Sequence, residues 1–461
     1  MVERRALTCV SLQDTMSTVP TTRSSWRLAA TSPSLPEVHS TLAVPANGSF
    51  WRKLLAFAGP GFLVAVGYMD PGNWATDIAA GSRYGYRLLF VIMVSNLMAI
   101  LLQNLAIKLG VVTGRDLAQA CRDHFSRPVS FVLWVACEIA IAACDLAEII
   151  GSAIGLQLLF GVPLLWGVCI TGLDVLLILY LQQRGFRYLE ALVVTLIAVV
   201  GLCFGLEILF SRPDLLPMAK GFFVPPLDVL KDWGMLYVAI GILGATVMPH
   251  NLYLHSAIVQ TRNFKPDLAG KREAVKFFQI DSTVALMLAL FVNAAILIVA
   301  AATFGRSGHT EVAEIGDAYK LLSPLLGVAG ASTLFAFALL ASGQNSTLTG
   351  TLAGQIVMEG FLNIRLRPWL RRLITRSIAI IPAIVVTIFY GAHGTARLLI
   401  FSQVILSMQL SFAVVPLVMF TGDKAKMGEF VNSRSVASLS WVVTVLIAFL
   451  NVWLLVETFR G

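Results

Sequence analysis

The sequence predicts an all-α integral membrane protein of about eleven transmembrane helices, built as two inverted five-helix repeats with helices 1 and 6 broken at mid-membrane. Three observations carry this expectation: too little charge for a soluble chain, a regular succession of apolar runs, and two matched helix breaks. Of the 461 residues, 57% are hydrophobic and 13% charged, and the mean hydropathy is +0.79. Soluble domains carry roughly 25% charged residues. A bilayer absorbs that much apolar sequence; a water-soluble core does not.

Crossing ~30 Å of hydrocarbon takes roughly 20 apolar residues. Runs of that kind lie near 54–79, 88–108, 130–152, 163–182, 188–210, 233–258, 278–303, 326–352, 376–391, 396–420 and 436–457. They divide into repeat one (about 54–210), repeat two (about 233–420) and an extra helix (about 436–457), within a transporter domain spanning 49–461. Residues 1–48 are rich in Ser, Thr, Pro and Arg and have no apolar run, which predicts a disordered polar tail. The six cysteines show no paired spacing, and four lie in apolar runs, where they read as small hydrophobic residues.

Charge sets the orientation. With the amino terminus inside, 25 of the 34 Lys and Arg residues fall on the inner side. This asymmetry predicts a cytoplasmic amino terminus and an external carboxyl terminus in a cell membrane. The net charge of +8 therefore belongs to loops facing the cytoplasm. No basic motif with interleaved aromatics points to nucleic acid, so the expected surroundings are lipid.

The first span contains Gly67-Tyr68-Met69-Asp70-Pro71-Gly72-Asn73, and the sixth Gly244-Ala245-Thr246-Val247-Met248-Pro249-His250-Asn251. Both read x-Pro-x-Asn, with the prolines 178 residues apart. Proline removes a backbone donor and clashes with the preceding turn. The carbonyls it frees are tolerated in hydrocarbon only where they line a cavity or meet a ligand. Interrupted helices at corresponding places in two halves point to a transporter's binding site. Because each repeat has five spans, an odd number, the second repeat starts on the opposite side of the membrane.

Asp70 is an ionisable group inside a span, which costs at least about 2.5 kcal/mol unless compensated, and a cation compensates it. Asn73 adds an amide oxygen one turn on, and carbonyls near Gly67 and Ala245 add hard oxygens. Met248 sets the kind of cation, because a thioether gains little from Mg²⁺ or Ca²⁺ and favours transition metals. The substrate expected is a divalent transition-metal ion; no resident cofactor is expected.

The Asp70-Pro71-Gly72-Asn73 and Met248-Pro249-His250 motifs, with Gly354-Gln355-Ile356-Val357-Met358-Glu359-Gly360 before a basic loop, resemble the signatures of the Nramp family of divalent-metal transporters. The resemblance runs from about Ala56 to the end of the last span. It implies a leucine-transporter-like fold and, in bacteria, proton-dependent transport of Mn²⁺ across the inner membrane; the Met248 thioether extends the expected substrates to Fe²⁺ and Cd²⁺. The resemblance also implies metal ligation at Asp70, Asn73, Met248 and the Ala245 carbonyl, with Gly67 in some conformations and Gln403 joining. Gly67 stands where the family leads one to expect alanine.

The third span holds Glu138, Asp145 and Glu148 in an apolar run. At about 100° per residue they share one helix face, as members of proton relays do. His250, beside the presumed metal site, titrates in the useful range. The resemblance associates Asp70, Asp145, Glu148 and His250 with proton movement and offers Arg376 as a partner. Together these readings predict proton-coupled symport into the cell. The alternatives are a passive metal channel and a sodium-coupled amino-acid transporter on the same fold, although Asp70 would repel a substrate carboxylate. A membrane-embedded metalloenzyme would need a His or carboxylate cluster such as His-Glu-x-x-His, and the sequence has none, so no enzymatic activity is expected.

Overall fold

The structure is a computed structural model that describes residues 26–29, 32–173, 180, 185–312, 314–364, 368–390 and 395–460. Those residues form a helical bundle. A short α1 (Phe50–Phe57) leads into the broken first span, α2 (Pro60–Gly67) and α3 (Pro71–Tyr84). The second span is α4 (Leu89–Thr113), and α5 (Leu117–His124) is a short connector to the third, α6 (Arg127–Phe160). Helix α7 (Leu164–Thr171) covers the first half of the expected fourth span; residues 174–179 and 181–184 lie outside the described residues.

The fifth span is α8 (Phe186–Ser211), followed by α9 (Leu215–Phe223) in the connecting loop. The second broken span is α10 (Trp233–Thr246) and α11 (Pro249–Ile258). Then come α12 (Leu268–Ala300), the loop helix α13 (Ile315–Leu326), α14 (Ala331–Leu362), α15 (Pro368–Tyr390), α16 (Thr395–Gly422), α17 (Lys424–Met427) and α18 (Arg434–Arg460). Where they are described, the expected spans thus fall on helices, and the first and sixth are discontinuous as the sequence predicts.

Seven helical stretches among the described residues are long and apolar enough to cross a membrane on composition alone. Helix α14 is not among them, because its middle reads Ser342-Gly343-Gln344-Asn345-Ser346-Thr347-Leu348-Thr349-Gly350-Thr351. It packs against α6, α8 and α11, so other helices, not lipid, surround that stretch. Four of its hydroxyls are satisfied locally, those of Ser346, Thr347, Thr349 and Thr351: Ser346 donates to the Ser342 carbonyl at 2.9 Å and Thr347 to that of Gly343 at 3.0 Å. Such back-bonding lets a polar helix sit in a dry interior.

The amino-terminal tail departs from expectation. Residues 26–29 and 32–48 are not a disordered polar extension; they lie against the body of the protein, while residues 1–25 fall outside the described residues. Leu42 and Ala43 pair in parallel with Arg262 and Asn263, just beyond α11. Leu35 is 2% exposed despite a φ of +53°. A left-handed conformation costs a non-glycine residue roughly 1–2 kcal/mol, which burial of one leucine side chain, worth about 1.5–3 kcal/mol, offsets. Average composition misses this, because a single apolar residue and a row of backbone donors suffice to dock the segment. Its receiving groups include Asp116, the N-cap of α5, whose carboxyl is pushed up to about 6 by burial against the hydrogen bonds from Ser34 and the helix.

Candidate metal-binding site at the helix breaks

Neither proline kinks a continuous helix; each starts a new one. Pro71 and Pro249 occupy the first helical turn of α3 and α11, where a missing N–H costs nothing because that group has no helical partner anyway. Three unwound residues, Tyr68, Met69 and Asp70, separate α2 from α3. Two, Val247 and Met248, separate α10 from α11.

Asp70 is the N-cap of α3. Its Oδ1 accepts from the Asn73 backbone N–H at 2.9 Å and from Asn73 Nδ2 at 2.6 Å, while Gln403 Nε2 donates to Oδ2 at 3.2 Å. Asn73 Nδ2 also donates to the Ala245 carbonyl at 3.2 Å. One amide therefore ties the break in the first repeat to the break in the second. Asp70, Asn73, Ala245, Met248 and Gln403 are all buried, so the centre is sealed from solvent on both sides. Met248, the N-cap of α11, belongs to a small apolar cluster with Ala140, Ala143, Cys144 and Leu406.

The freed backbone is satisfied by residues that sequence reasoning did not single out. Asn293 Nδ2, on α12, donates to the Tyr68 carbonyl at 2.7 Å. The Met69 carbonyl accepts from Trp74 Nε1 at 3.3 Å and from the Ser342 hydroxyl. Asn293 was visible as a lone amide in an apolar span, though nothing in the sequence says which break it serves. Asp77, two turns along α3 from Asp70 and also buried, was passed over; its Oδ2 has no hydrogen-bond partner.

Glycine is required at one point here. A Cβ on Gly72 would lie 1.6 Å from Gln403 Nε2, so only glycine lets Gln403 reach Asp70. At Gly67 a Cβ would come within 2.4 Å of Asn251 Nδ2, the end of a side chain. The departure from alanine at this position thus makes room for the Asn251 amide.

The acidic residues of α6 face the same centre in part. A Cβ on Gly350 would lie 2.6 Å from Asp145 Oδ1 and 3.2 Å from Glu148 Oε2, which places both carboxylates together against α14. Cys144 Sγ, read from sequence as apolar filler, donates to Glu148 Oε1 at 3.5 Å and lies 3.9 Å from His250 Nε2. The thiol therefore sits between histidine and acid. Glu138, by contrast, accepts from Trp134 Nε1 on its own helix at 2.9 Å. The side chain of Arg376 lies outside the described residues.

On the side of the breaks where residues 32–48 lie, two polar arrangements hold α2 in place. Tyr68 accepts from Gln103 Nε2 at 2.6 Å, and Gln103 Oε1 lies 2.9 Å from His255 Nδ1. At the joint between α1 and α2, Arg187 donates to the Ala58 carbonyl at 2.7 Å, and Arg262 donates to the carbonyls of Ala56 and Ala58. Asp281 accepts from the N–H groups of Gly59 and Gly61 at 3.2 and 2.7 Å. Cations meet the carbonyl end of one helix and an anion the N–H end of the next, the arrangement that peptide dipoles favour. Glu190 completes it, 2.6 Å from Arg262. A buried ion pair of this kind holds geometry more than it adds stability, because desolvation cancels much of the attraction.

Among the described residues no group of three or more His, Cys, Asp or Glu side chains is placed to hold a metal. An ion at the breaks would meet one carboxylate, amide and backbone oxygens, and a thioether.

The family model described as "Natural resistance-associated macrophage protein-like" (Nramp) matches residues 61–457. The divalent metal cation transporter MntH of Nostoc sp. is 66% identical over 429 residues, covering 93% of this chain and 97% of that protein. The MntH transporter of Mesorhizobium japonicum is 60% identical over 454 residues, covering 98% of this chain and 100% of its own length. Among solved structures, the manganese transporter of Eremococcus coleocola, in complex with an aromatic bis-isothiourea substituted compound, superposes with a TM-score of 0.84 at 45% identity, over 91% of this chain and 90% of that one. Mhp1, a nucleobase-cation-symport-1 family transporter, shares the fold at 16% identity, with a TM-score of 0.56 over 87% of this chain and 91% of that one.

Proposed function

Because this chain belongs to the Nramp family, we propose that it carries divalent transition-metal ions, Mn²⁺ foremost and also Fe²⁺ and Cd²⁺, into the cell together with protons. Transport of metal cations is what its relatives are named for. The observation that most supports the site is the position of Asn73 Nδ2, shared between Asp70 Oδ1 and the Ala245 carbonyl. An amide N–H group there stands in for a cation between two oxygen acceptors. When metal arrives, the Asn73 amide would turn its oxygen inward, so that Asp70, Asn73, Ala245 and Met248 face one ion, with Gln403 and Gly67 contributing as α2 and α11 tilt. An oxygen shell with one sulfur suits a borderline transition metal better than Mg²⁺ or Ca²⁺.

Coupling to protons draws on the same carboxylate. Asp70 in a sealed, dry centre is neutralised either by a proton or by a metal, so binding of one favours departure of the other. His250 follows Met248 by two residues, with Cys144 between it and Glu148; Asp145 lies beside Glu148. These groups form the expected exit for the displaced proton, with Arg376 as its expected partner; Glu138 lies one further step along the same helix face. The amino terminus and the face carrying it are cytoplasmic in this reading, and the carboxyl terminus is external.

Two experiments test it. In proteoliposomes, an inward Mn²⁺ gradient should drive proton uptake, and Glu148→Gln should lower proton flux at least about tenfold while leaving metal binding within about threefold, since about 1.4 kcal/mol corresponds to each factor of ten. Metal flux in the parent protein with no proton movement would establish the passive channel instead. Gly72→Ala should displace the Gln403 amide at an overpacking cost of about 1–3 kcal/mol. Mn²⁺ uptake should then fall roughly tenfold in a protein that still elutes as a folded species; unchanged uptake would remove Gln403 from the site.

A further inference from the structure

The amino-terminal segment crosses the face of the bundle beneath the breaks and touches helices from several parts of the fold. Ser34 Oγ donates to Asp116 Oδ2 at 2.6 Å, and the Leu35 N–H donates to Glu359 Oε2, at the end of α14, at 2.9 Å. Gln355 Nε2 on α14 donates to Glu37 Oε1 at 2.8 Å, and Gln119 Nε2 on α5 donates to the Ser32 carbonyl at 3.1 Å. Upstream, Trp26 stacks edge-on to Phe420 of α16 at 5.4 Å, with the Arg115 guanidinium 4.9 Å and the Lys426 ammonium 5.0 Å from its ring. Downstream, the Ser40 N–H donates to the Gln260 carbonyl at 2.9 Å, and Leu42–Ala43 pair with Arg262–Asn263. The chain then enters α1 and α2 directly.

We propose that residues 26–29 and 32–43 act as an intramolecular latch: they tie the half-helices α2 and α11 to α5, α14 and α16, hold this face of the transporter closed, and must let go before that face opens. The inference rests on the proposed function for one point only, that α2 and α11 move relative to their neighbours during transport, as half-helices around a midplane site do. The segment bonds to α5 and α14 through Ser32, Ser34, Leu35 and Glu37 and to the chain just beyond α11 through Ser40, Leu42 and Ala43, so separation of α2 and α11 from α5 and α14 by even an ångström or two takes these contacts past the 2.7–3.2 Å range in which hydrogen bonds hold.

The chemistry of the contact suits reversible release. Leu35 and Val38 are the apolar residues of the segment that are buried against the body. Trp26 and Leu42 pack on the body part-buried; the remaining attachments are polar groups that water can serve equally well once the segment lifts, and Asp116 and Glu359 regain hydration at the same moment. Asp116 Oδ1 meanwhile still accepts from the Gln119 N–H at 2.8 Å, so α5 keeps its cap when Ser34 leaves. The latch thus adds a modest bias toward closure and can be undone without unfolding what lies beneath it.

Hydrogen-exchange mass spectrometry on the purified full chain tests this without reference to any cargo, so a failure here is distinct from a failure of the metal-transport reading. Ser34→Glu sets a carboxylate against Asp116 and Glu359, and Leu35→Ala removes the apolar anchor. A chain starting at Val44 removes the segment altogether. Each is expected to speed exchange in Pro60–Gly67 and Pro249–Ile258 by about tenfold, the effect of losing about one ordinary hydrogen bond or a comparable apolar contact, with α18 unchanged. If faster exchange is confined to residues 26–43 and α5, the segment is a passive covering and the latch is refuted. Should the shortened chain fail to fold, the two point variants decide the matter by the same readout.

Discussion

Asp70→Ala is expected to lower Mn²⁺ uptake by reconstituted protein roughly 30-fold to several thousandfold. Removing one partner of a buried, hydrogen-bonded charge pair costs about 2–5 kcal/mol, and each 1.4 kcal/mol is about a factor of ten in affinity. Asp70 is the carboxylate to which Asn73 and Gln403 are anchored, so its loss also releases the two amides expected to complete the ion's shell. Asp70→Asn is the cleaner companion. An asparagine oxygen can still cap α3 through the Asn73 N–H, so the break keeps its shape and only the charge is lost. Uptake by both variants within twofold of the parent, at equal protein in the membrane, would remove Asp70 from the site.

Met248 carries the second large effect, on selectivity. Replacing it should raise Ca²⁺ transport relative to Mn²⁺ by about tenfold, because the sulfur contributes to binding a transition metal and adds little for a hard cation. Alanine is a poor test by itself. Met248 belongs to an apolar cluster with Ala140, Ala143, Cys144 and Leu406, and emptying such a place costs about 2–5 kcal/mol of stability. Met248→Leu keeps the volume, usually for less than about 1.5 kcal/mol, and removes only the sulfur. Competition uptake with ⁵⁴Mn²⁺ against Ca²⁺ reads the ratio directly. An unchanged ratio in the leucine variant would mean that Met248 is packing and that selectivity resides in the oxygens.

Much of the candidate site's geometry was legible because its signals are local. Proline beside glycine in an apolar run marks a helix break wherever it occurs, and Asp70 and Asn73, three residues apart, face each other across the first turn of whatever helix follows. The three acids of α6 were likewise visible as a periodic pattern, but periodicity overstated their equivalence: Asp145 and Glu148 turn to α14, whereas Glu138 bonds its own helix through Trp134. Cys144 looked inert, since a thiol in an apolar run has no local sign of its neighbours. The amino-terminal segment was misread for a related reason. Its composition matches disorder, and the buried acids that receive it, Asp116 and Glu359, lie 82 and 324 residues from their partners.

Membrane residence, the placing of the spans and the two breaks follow from sequence alone, because hydrocarbon imposes the same demands on every segment: apolar length, and internal satisfaction of each backbone group. What only the folded chain decided is which distant groups answer the exceptions. Asn293 serving Tyr68, Asn73 bridging to Ala245, Asp281 capping α2 and Ser34 resting on Asp116 are all contacts between side chains and partners far away in sequence. A buried polar group must find a partner, but its own neighbours in the chain do not specify which one.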